Sequence, residues 1–109
     1  MGEVGSVVMR DRHRLAEDGM VVIVMPFSSQ DHKMLASPEI VTRGFIYVKE
    51  AEELMGELKR VTIESVDSCE AQHITDFTTI KSKVKSNISG YLYKTTRRSP
   101  MILPVITEI

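Results

Sequence analysis

The chain has 109 residues, a formal net charge of −1 and a single cysteine. This length predicts one domain with one modest core, and the near-neutral charge excludes a global electrostatic attraction to nucleic acid or to an anionic membrane. One cysteine excludes an intramolecular disulfide and favours a reducing, cytoplasmic location. The longest apolar run, from Met20 to Phe27, is too short to cross a bilayer, so we expect no membrane partner.

The first 18 residues are typical of a linker-like segment. Residues 1–9 alternate apolar and small side chains, which favours a short strand or an extended linker, and residues 10–18 favour a short helix or turn. Gly19 is suited to end that turn in the left-handed conformation. We therefore expect residues 1–18 to lead into a domain formed by residues 19–109.

Two strands are predicted before the first long helix. The β-branched run from Gly19 to Phe27 is typical of a buried strand, and the polar residues 28–33 are typical of a hairpin connection. The following segment, Met34 to Val41, contains Pro38, which favours an irregular or edge strand. We expect Thr42 to Gly44 to interrupt this segment.

Apolar residues spaced three and four apart predict two helices. The first extends from Glu50 to Cys69, and the second extends from about Asp76 to Arg97, with Thr75 as its N-cap. A final strand follows at residues 101–109, and Pro104 favours an edge or a bulge there. The order β-β-α-α-β predicts an α+β fold, in which a small three-stranded sheet is covered on one face by two helices.

The two predicted helices carry opposite charges. Residues 49–70 contain seven acidic and three basic side chains, whereas residues 75–98 contain six basic and one acidic side chain. One interpretation is that the helices complement each other and expose solvated faces. The alternative is that the basic side chains contact RNA phosphates or an acidic partner surface. The candidate contacts on the second helix are Lys81, Lys85, Lys94, Arg97 and Arg98.

No residue pattern indicates catalysis. The three histidines, His13, His32 and His73, do not stand at metal-ligand spacing, and we interpret them as exposed surface residues. Cys69 lies on the apolar face of the first helix, so we interpret it as a core residue rather than a nucleophile. We expect no catalytic residue, metal ligand or cofactor in this chain.

The tripeptide Arg43-Gly44-Phe45 is the most specific local motif. A glycine between an extended segment and an aromatic-rich run favours a bulge or a close backbone approach. In the architectural interpretation, Gly44 bends the chain and Phe45 enters the core. In the functional interpretation, the planar guanidinium of Arg43 is directed at a carboxylate or a phosphate.

Three stretches of the chain resemble the C-terminal end of bacterial ribonuclease J. They are GEVGSVVMRDRHRLAEDGMVVIV at residues 2–24, PEIVTRGFIYVKEAEEL at residues 38–54 and TTRRSPMILPVITEI at residues 95–109. These stretches span nearly the whole chain and follow the same order as in the family. Residues 64–79 show no recognisable resemblance to it.

The resemblance implies a parent enzyme and a role within it. Ribonuclease J proteins are cytoplasmic, zinc-dependent nucleases of the metallo-β-lactamase superfamily with an inserted β-CASP domain, and they degrade RNA from the 5′ end and also cut it internally. Their small C-terminal domain is associated with oligomer assembly and full activity. The implied partners are its own catalytic domain and a second copy or a paralogous ribonuclease J subunit, with RNA as the alternative. The metal motif H-x-H-x-D-H of the family is absent here, so no catalytic residue is carried over.

Overall fold

The computed structural model describes residues 19–44 and 51–109. Within these ranges the chain forms, in order, β1 (Met20–Phe27), β2 (Glu39–Arg43), α1 (Ala51–Ala71), α2 (Phe77–Thr96) and β3 (Met101–Glu108). The α+β fold predicted from the sequence is confirmed. The linker predicted at residues 1–18 and the core position predicted for Phe45 lie outside the described residues, and the division of the chain at residue 18 stays a prediction.

The sheet has three strands in the order β2-β1-β3. β2 runs antiparallel to β1, with Arg43 opposite Met20, and β3 runs parallel to β1, with Met101 opposite Met20. A parallel neighbour requires a long crossover, which the two helices provide. Among the described residues both outer strands are edges, as the prolines predicted: Pro38 directly precedes β2, and Pro104 lies within β3 opposite Ile23.

β1 alternates along its length between fully buried and half-buried side chains. Successive side chains of a strand point to opposite faces of the sheet, and the helices cover only one of these faces. The core therefore joins every second residue of β1 to the inner sides of both helices. Its members include Val21, Ile23, Met25, Phe27, Leu58, Ile80, Val84, Ile88 and Leu92.

Polar side chains are also buried between the helices. The Thr62 hydroxyl donates to the carbonyl of Leu58 at 2.8 Å, and the Ser65 hydroxyl donates to the carbonyl of Val61 at 2.7 Å. The Asn87 amide of α2 donates to the same Ser65 oxygen at 2.8 Å and links the helices. Because both hydroxyls are hydrogen-bonded, they can be buried without an unsatisfied polar group. The prediction that Cys69 packs in the core is confirmed.

The helix boundaries correct one prediction from the sequence. Asp76, and not Thr75, is the N-cap of α2, and its carboxylate accepts from the Thr79 hydroxyl at 2.6 Å and from the Thr79 amide at 2.8 Å. These two hydrogen bonds stabilise the charged form and lower the pKa of the Asp76 carboxyl below its usual 3.8. At the other end Arg97 adopts the left-handed conformation, with a φ of 62°.

The predicted interruption at Thr42 to Gly44 is also wrong, because β2 continues through Arg43. The close backbone approach that the motif predicted does occur, but the residue that permits it is Gly19, with a φ of 83°. A Cβ atom on Gly19 would overlap the Arg43 carbonyl oxygen and lie 2.7 Å from the Gly44 carbonyl carbon. The Gly19 carbonyl also accepts from the Met101 amide at 3.0 Å. One glycine thus joins β1 to the end of β2 and to the start of β3.

Candidate interaction surfaces

The exposed sides of α2 carry only basic charge. The helix contains four lysines and no acidic residue. Lys81 and Lys85 are four residues apart and project from one side of the helix, while Lys83 and Lys94, about three turns apart, project from the other side. The lysines therefore form two rows that flank the buried stripe, and they do not form a single patch.

The C-terminal end of α2 adds two more of the predicted basic contacts. Arg97 is exposed, and its guanidinium carbon lies 5.7 Å from the centre of the Tyr93 ring, which is within cation–π range. Arg98 is half-buried, and its amide donates to the Thr96 hydroxyl at 3.2 Å. Both residues follow Lys94 within about one turn, so the structure brings these three candidates together.

Arg43 lies apart from the basic residues of α2. It is exposed in β2 opposite Met20, on the sheet face that points away from the helices. The structure therefore places Arg43 on the sheet face opposite the lysines of α2, and the functional interpretation of its motif stays a prediction. Gly44, next to it, is exposed and has a φ of 65°, a conformation that favours glycine.

The opposite charges of the two helices are not paired directly. In the part of the chain that the structure describes, no ion pair joins α1 to α2. Arg60 is paired within α1, to Glu57 at 2.6 Å and to Glu64 at 2.8 Å, and hydrogen bonding to Glu57 is the main cause that raises the pKa of the Arg60 guanidinium. The helices contact each other through apolar side chains and the Asn87–Ser65 hydrogen bond. The lysines of α2 thus remain available to other partners.

A cleft of about 330 Å³ lies between the loop after β1 and the α1–α2 connection. His32 lines it in the left-handed conformation, with a φ of 57°. Its Nδ1 lies 2.8 Å from the Thr75 carbonyl oxygen, and its ring stacks on Phe77 with centroids 4.5 Å apart. His32 is therefore half-buried and not the exposed residue predicted, whereas His73 is exposed as predicted.

Contacts at the cleft join the loop after β1 to the end of α1 and to the α1–α2 connection. Lys33, beside His32 in the loop, lies 3.7 Å from the Glu70 carboxylate near the end of α1. Although histidines and carboxylates line the cleft, no group of three or more potential ligands within residues 19–44 and 51–109 could hold a metal ion. The side chains there act as a clamp between the loop after β1, at His32 and Lys33, and the stretch 70–77 that ends α1 and begins α2.

The second face of the sheet is apolar, and neither helix packs on it. Three residues form a row across the strands, since Val22 of β1 lies opposite Val41 of β2 and opposite Leu103 of β3. The exposed fractions of Val41 and Leu103 are both 39%, and that of Val105, in the next row, is 43%. We call this surface the open face. The rows of the open face are Arg43–Met20–Met101, Val41–Val22–Leu103 and Glu39–Val24–Val105.

One acid and one base stand at opposite ends of this face. Glu39 and Arg43 lie two residues before and two residues after Val41 in β2, and both are exposed. Neither forms an ion pair with another residue that the structure describes. The open face therefore presents an apolar centre between a single negative and a single positive charge along one edge.

Comparison with known proteins agrees with the resemblance. The family described as Ribonuclease J C-terminal domain matches residues 7–109. The chain is 40% identical over 109 residues to Ribonuclease J 2 of Staphylococcus aureus strain NCTC 8325, and 40% identical over the same length to Ribonuclease J 2 of Staphylococcus epidermidis strain ATCC 35984. All of this chain is covered in each comparison, but it spans only 20% of the length of these relatives.

Within the described residues, neither helix is long and apolar enough to cross a membrane.

Proposed function

Since this chain belongs to the family of ribonuclease J C-terminal domains, we propose that it is a non-catalytic accessory domain that supports the oligomer assembly and full activity of a ribonuclease J. The observation that carries this proposal is the open face. Small soluble domains rarely leave a contiguous apolar surface uncovered, and such surfaces commonly mark sites of association. Within residues 19–44 and 51–109, two edge strands border this face, and unpaired strand edges are a second means of association.

The proposal extends to the protein that such a domain would serve. We propose a cytoplasmic, zinc-dependent nuclease that degrades RNA from its 5′ end and also cuts it internally. The zinc would be held by the catalytic body, and this chain would contribute no ligand to it. The partners of the chain would be its own catalytic body and a second ribonuclease J subunit, either identical or paralogous.

A small domain can contribute to assembly without a large interface. When a weak contact is tethered to a body that also associates, the second contact becomes intramolecular, and its effective concentration reaches about the millimolar range. The open face of a three-stranded sheet suits this role, because it offers apolar contact over a limited area. Removal of the domain would then weaken the oligomer without abolishing every contact between the subunits.

The experiment compares a full-length ribonuclease J that carries this domain with a variant that lacks residues 19–109. We expect the variant to form a smaller oligomer by light scattering and to degrade 5′-labelled single-stranded RNA more slowly. Zinc content and circular dichroism of the variant serve as controls that the catalytic body is intact. An unchanged oligomer with unchanged activity would contradict the proposal.

A second candidate function is a contact to RNA through α2. The observation that favours it is that the lysines of this helix form no ion pairs with the described residues of the acidic α1. Four lysines without an acidic neighbour in the helix can neutralise phosphates, although few aromatic side chains accompany them for base stacking. Such a contact would bind RNA weakly and without sequence preference.

Fluorescence anisotropy of labelled single-stranded RNA at several salt concentrations tests this function. Replacing Lys81 and Lys85 together by Gln should remove up to two phosphate contacts, which lowers the slope of log K against log salt by about 1.4. The matched control is Lys59→Gln, an exposed lysine of the acidic helix, which should leave the slope unchanged. If the unmodified chain does not bind at low salt, the RNA function is refuted.

A further inference from the structure

We propose that the open face is a self-association surface, on which a second copy of this chain stacks its own open face about a two-fold axis that runs across the strands. The proposal rests on the assembly function and specifies it, because it names both the surface and the partner. It is carried by the arrangement of apolar and charged residues along β2, β1 and β3.

The geometry of a two-fold axis restricts how the two faces can meet. When identical faces pack against each other, the axis must lie in the plane of the interface. If the axis crosses the strands at the row Val41–Val22–Leu103, each residue of this row meets its own copy. Three apolar contacts then form the centre of the interface.

The rows on either side of the axis are exchanged by the same rotation. The row Glu39–Val24–Val105 therefore lies over the row Arg43–Met20–Met101 of the second copy. Valine meets methionine at two of these positions, and the Glu39 carboxylate meets the guanidinium of the second copy at the third. Because the contact is symmetric, this charge pair occurs twice at the rim of the interface.

The alternative axis, parallel to the strands, gives a poorer match. It would place β2 over β3 of the second copy, so that Glu39 faces Val105 and Arg43 faces Met101. Both charges would then be desolvated against apolar side chains without a partner, which is unfavourable. The positions of the two charges therefore select the axis that crosses the strands.

The size of the face predicts a weak interface. Five residues along each of three strands, at about 3.3 Å per residue and 4.8 Å between strands, cover roughly 300 Å² per copy with the side chains included. Two copies would bury about 600 Å² in total, whereas stable interfaces bury about 1,600 Å², so the isolated chain should dimerise only weakly and at high concentration. Tethering within a larger oligomer would make such a contact effective.

Charge reversal on the open face tests the proposed stacking. Glu39→Arg places Arg against Arg at both ends of the interface, and Arg43→Glu places Glu against Glu. Each single reversal should raise the Kd by on the order of tenfold. The double variant Glu39→Arg with Arg43→Glu restores both opposite-charge contacts and should return the Kd to that of the unmodified chain. Asp67→Arg, an exposed reversal on α1, is the matched control.

The masses are measured by sedimentation equilibrium at concentrations up to about 1 mM, and circular dichroism confirms that each variant is folded. Weaker association of both single variants, with recovery in the double variant, supports the stacking. If all variants dimerise equally, the open face is not the surface through which the copies associate, and the proposed assembly function is not contradicted. If the unmodified chain is a monomer throughout this range, both the stacking and self-association by this domain are refuted.

Discussion

Replacing Gly19 by alanine should strongly destabilise the fold, although it adds only one methyl group. Gly19 has a φ of 83°, and an added Cβ would overlap the carbonyl oxygen of Arg43. The backbone there cannot move freely, because Arg43 is paired with Met20 in the sheet and the Gly19 carbonyl accepts from the Met101 amide. The substitution therefore affects all three strands at one point.

The magnitude follows from two costs. A left-handed alanine costs about 1–2 kcal/mol relative to glycine, and forcing a methyl group against fixed backbone adds about 1–3 kcal/mol. The expected loss is about 2–5 kcal/mol, which is a large part of the 5–15 kcal/mol that stabilises a typical domain.

The matched control is Gly56→Ala. Gly56 lies within α1 and is exposed, and an added Cβ there would meet nothing within 4 Å. Alanine should stabilise the helix at this position by about 1 kcal/mol. Urea denaturation, monitored by circular dichroism, gives the urea concentration at the midpoint of unfolding, which can be compared when the slope of the free energy of unfolding against urea is unchanged. The midpoint should fall for Gly19→Ala and rise for Gly56→Ala. A Gly19→Ala variant as stable as the unmodified chain would show that the added methyl group does not overlap the Arg43 carbonyl.

Three further predictions concern the core, the helix cap and a buried hydroxyl. Leu58→Ala, at a residue with no exposed surface, should cost about 2–5 kcal/mol in urea denaturation, whereas Leu35→Ala, at a residue that is 54% exposed, should cost less than about 0.5 kcal/mol; equal losses would contradict the assigned core. The pKa of Asp76 is lowered in the folded state, so its contribution to stability is fully present above the pKa of the unfolded chain and is lost as the pH falls through the pKa of the folded state. Asp76→Asn should therefore reduce the loss of stability in acid. An unchanged dependence of the free energy of unfolding on acidic pH would argue against the cap. Thr62→Val should change stability by less than about 1 kcal/mol, since the hydroxyl bonds only to the carbonyl of Leu58 in its own helix; a loss of several kcal/mol would indicate a contact outside that helix.

The elements were predictable wherever the apolar pattern was long. The run that forms β1 and the spaced apolar residues of both helices fixed the element order, and the prolines indicated the edge strands. Local boundaries were less predictable, because neighbouring residues can serve the same purpose. Thr75 and Asp76 are both good N-caps, and the carboxylate that accepts from Thr79 forms the cap.

The open face could not be identified from the sequence. A continuous apolar run such as that of β1 is typical of a strand buried on both faces, and only the pairing register shows that every second residue lies on a face without a helix. The rows that place Val41, Val22 and Leu103 side by side join residues far apart in the chain. The clamp at His32 depends in the same way on a contact to Thr75, 43 residues later.

The most direct test of the assembly role is the mass of the unmodified chain in solution as a function of concentration. A monomer has a mass of 12.3 kDa. If the open faces stack, the weight-average mass should rise reversibly toward twice this value as the concentration approaches about 1 mM. A mass that stays at the monomer value throughout would contradict self-association by this domain.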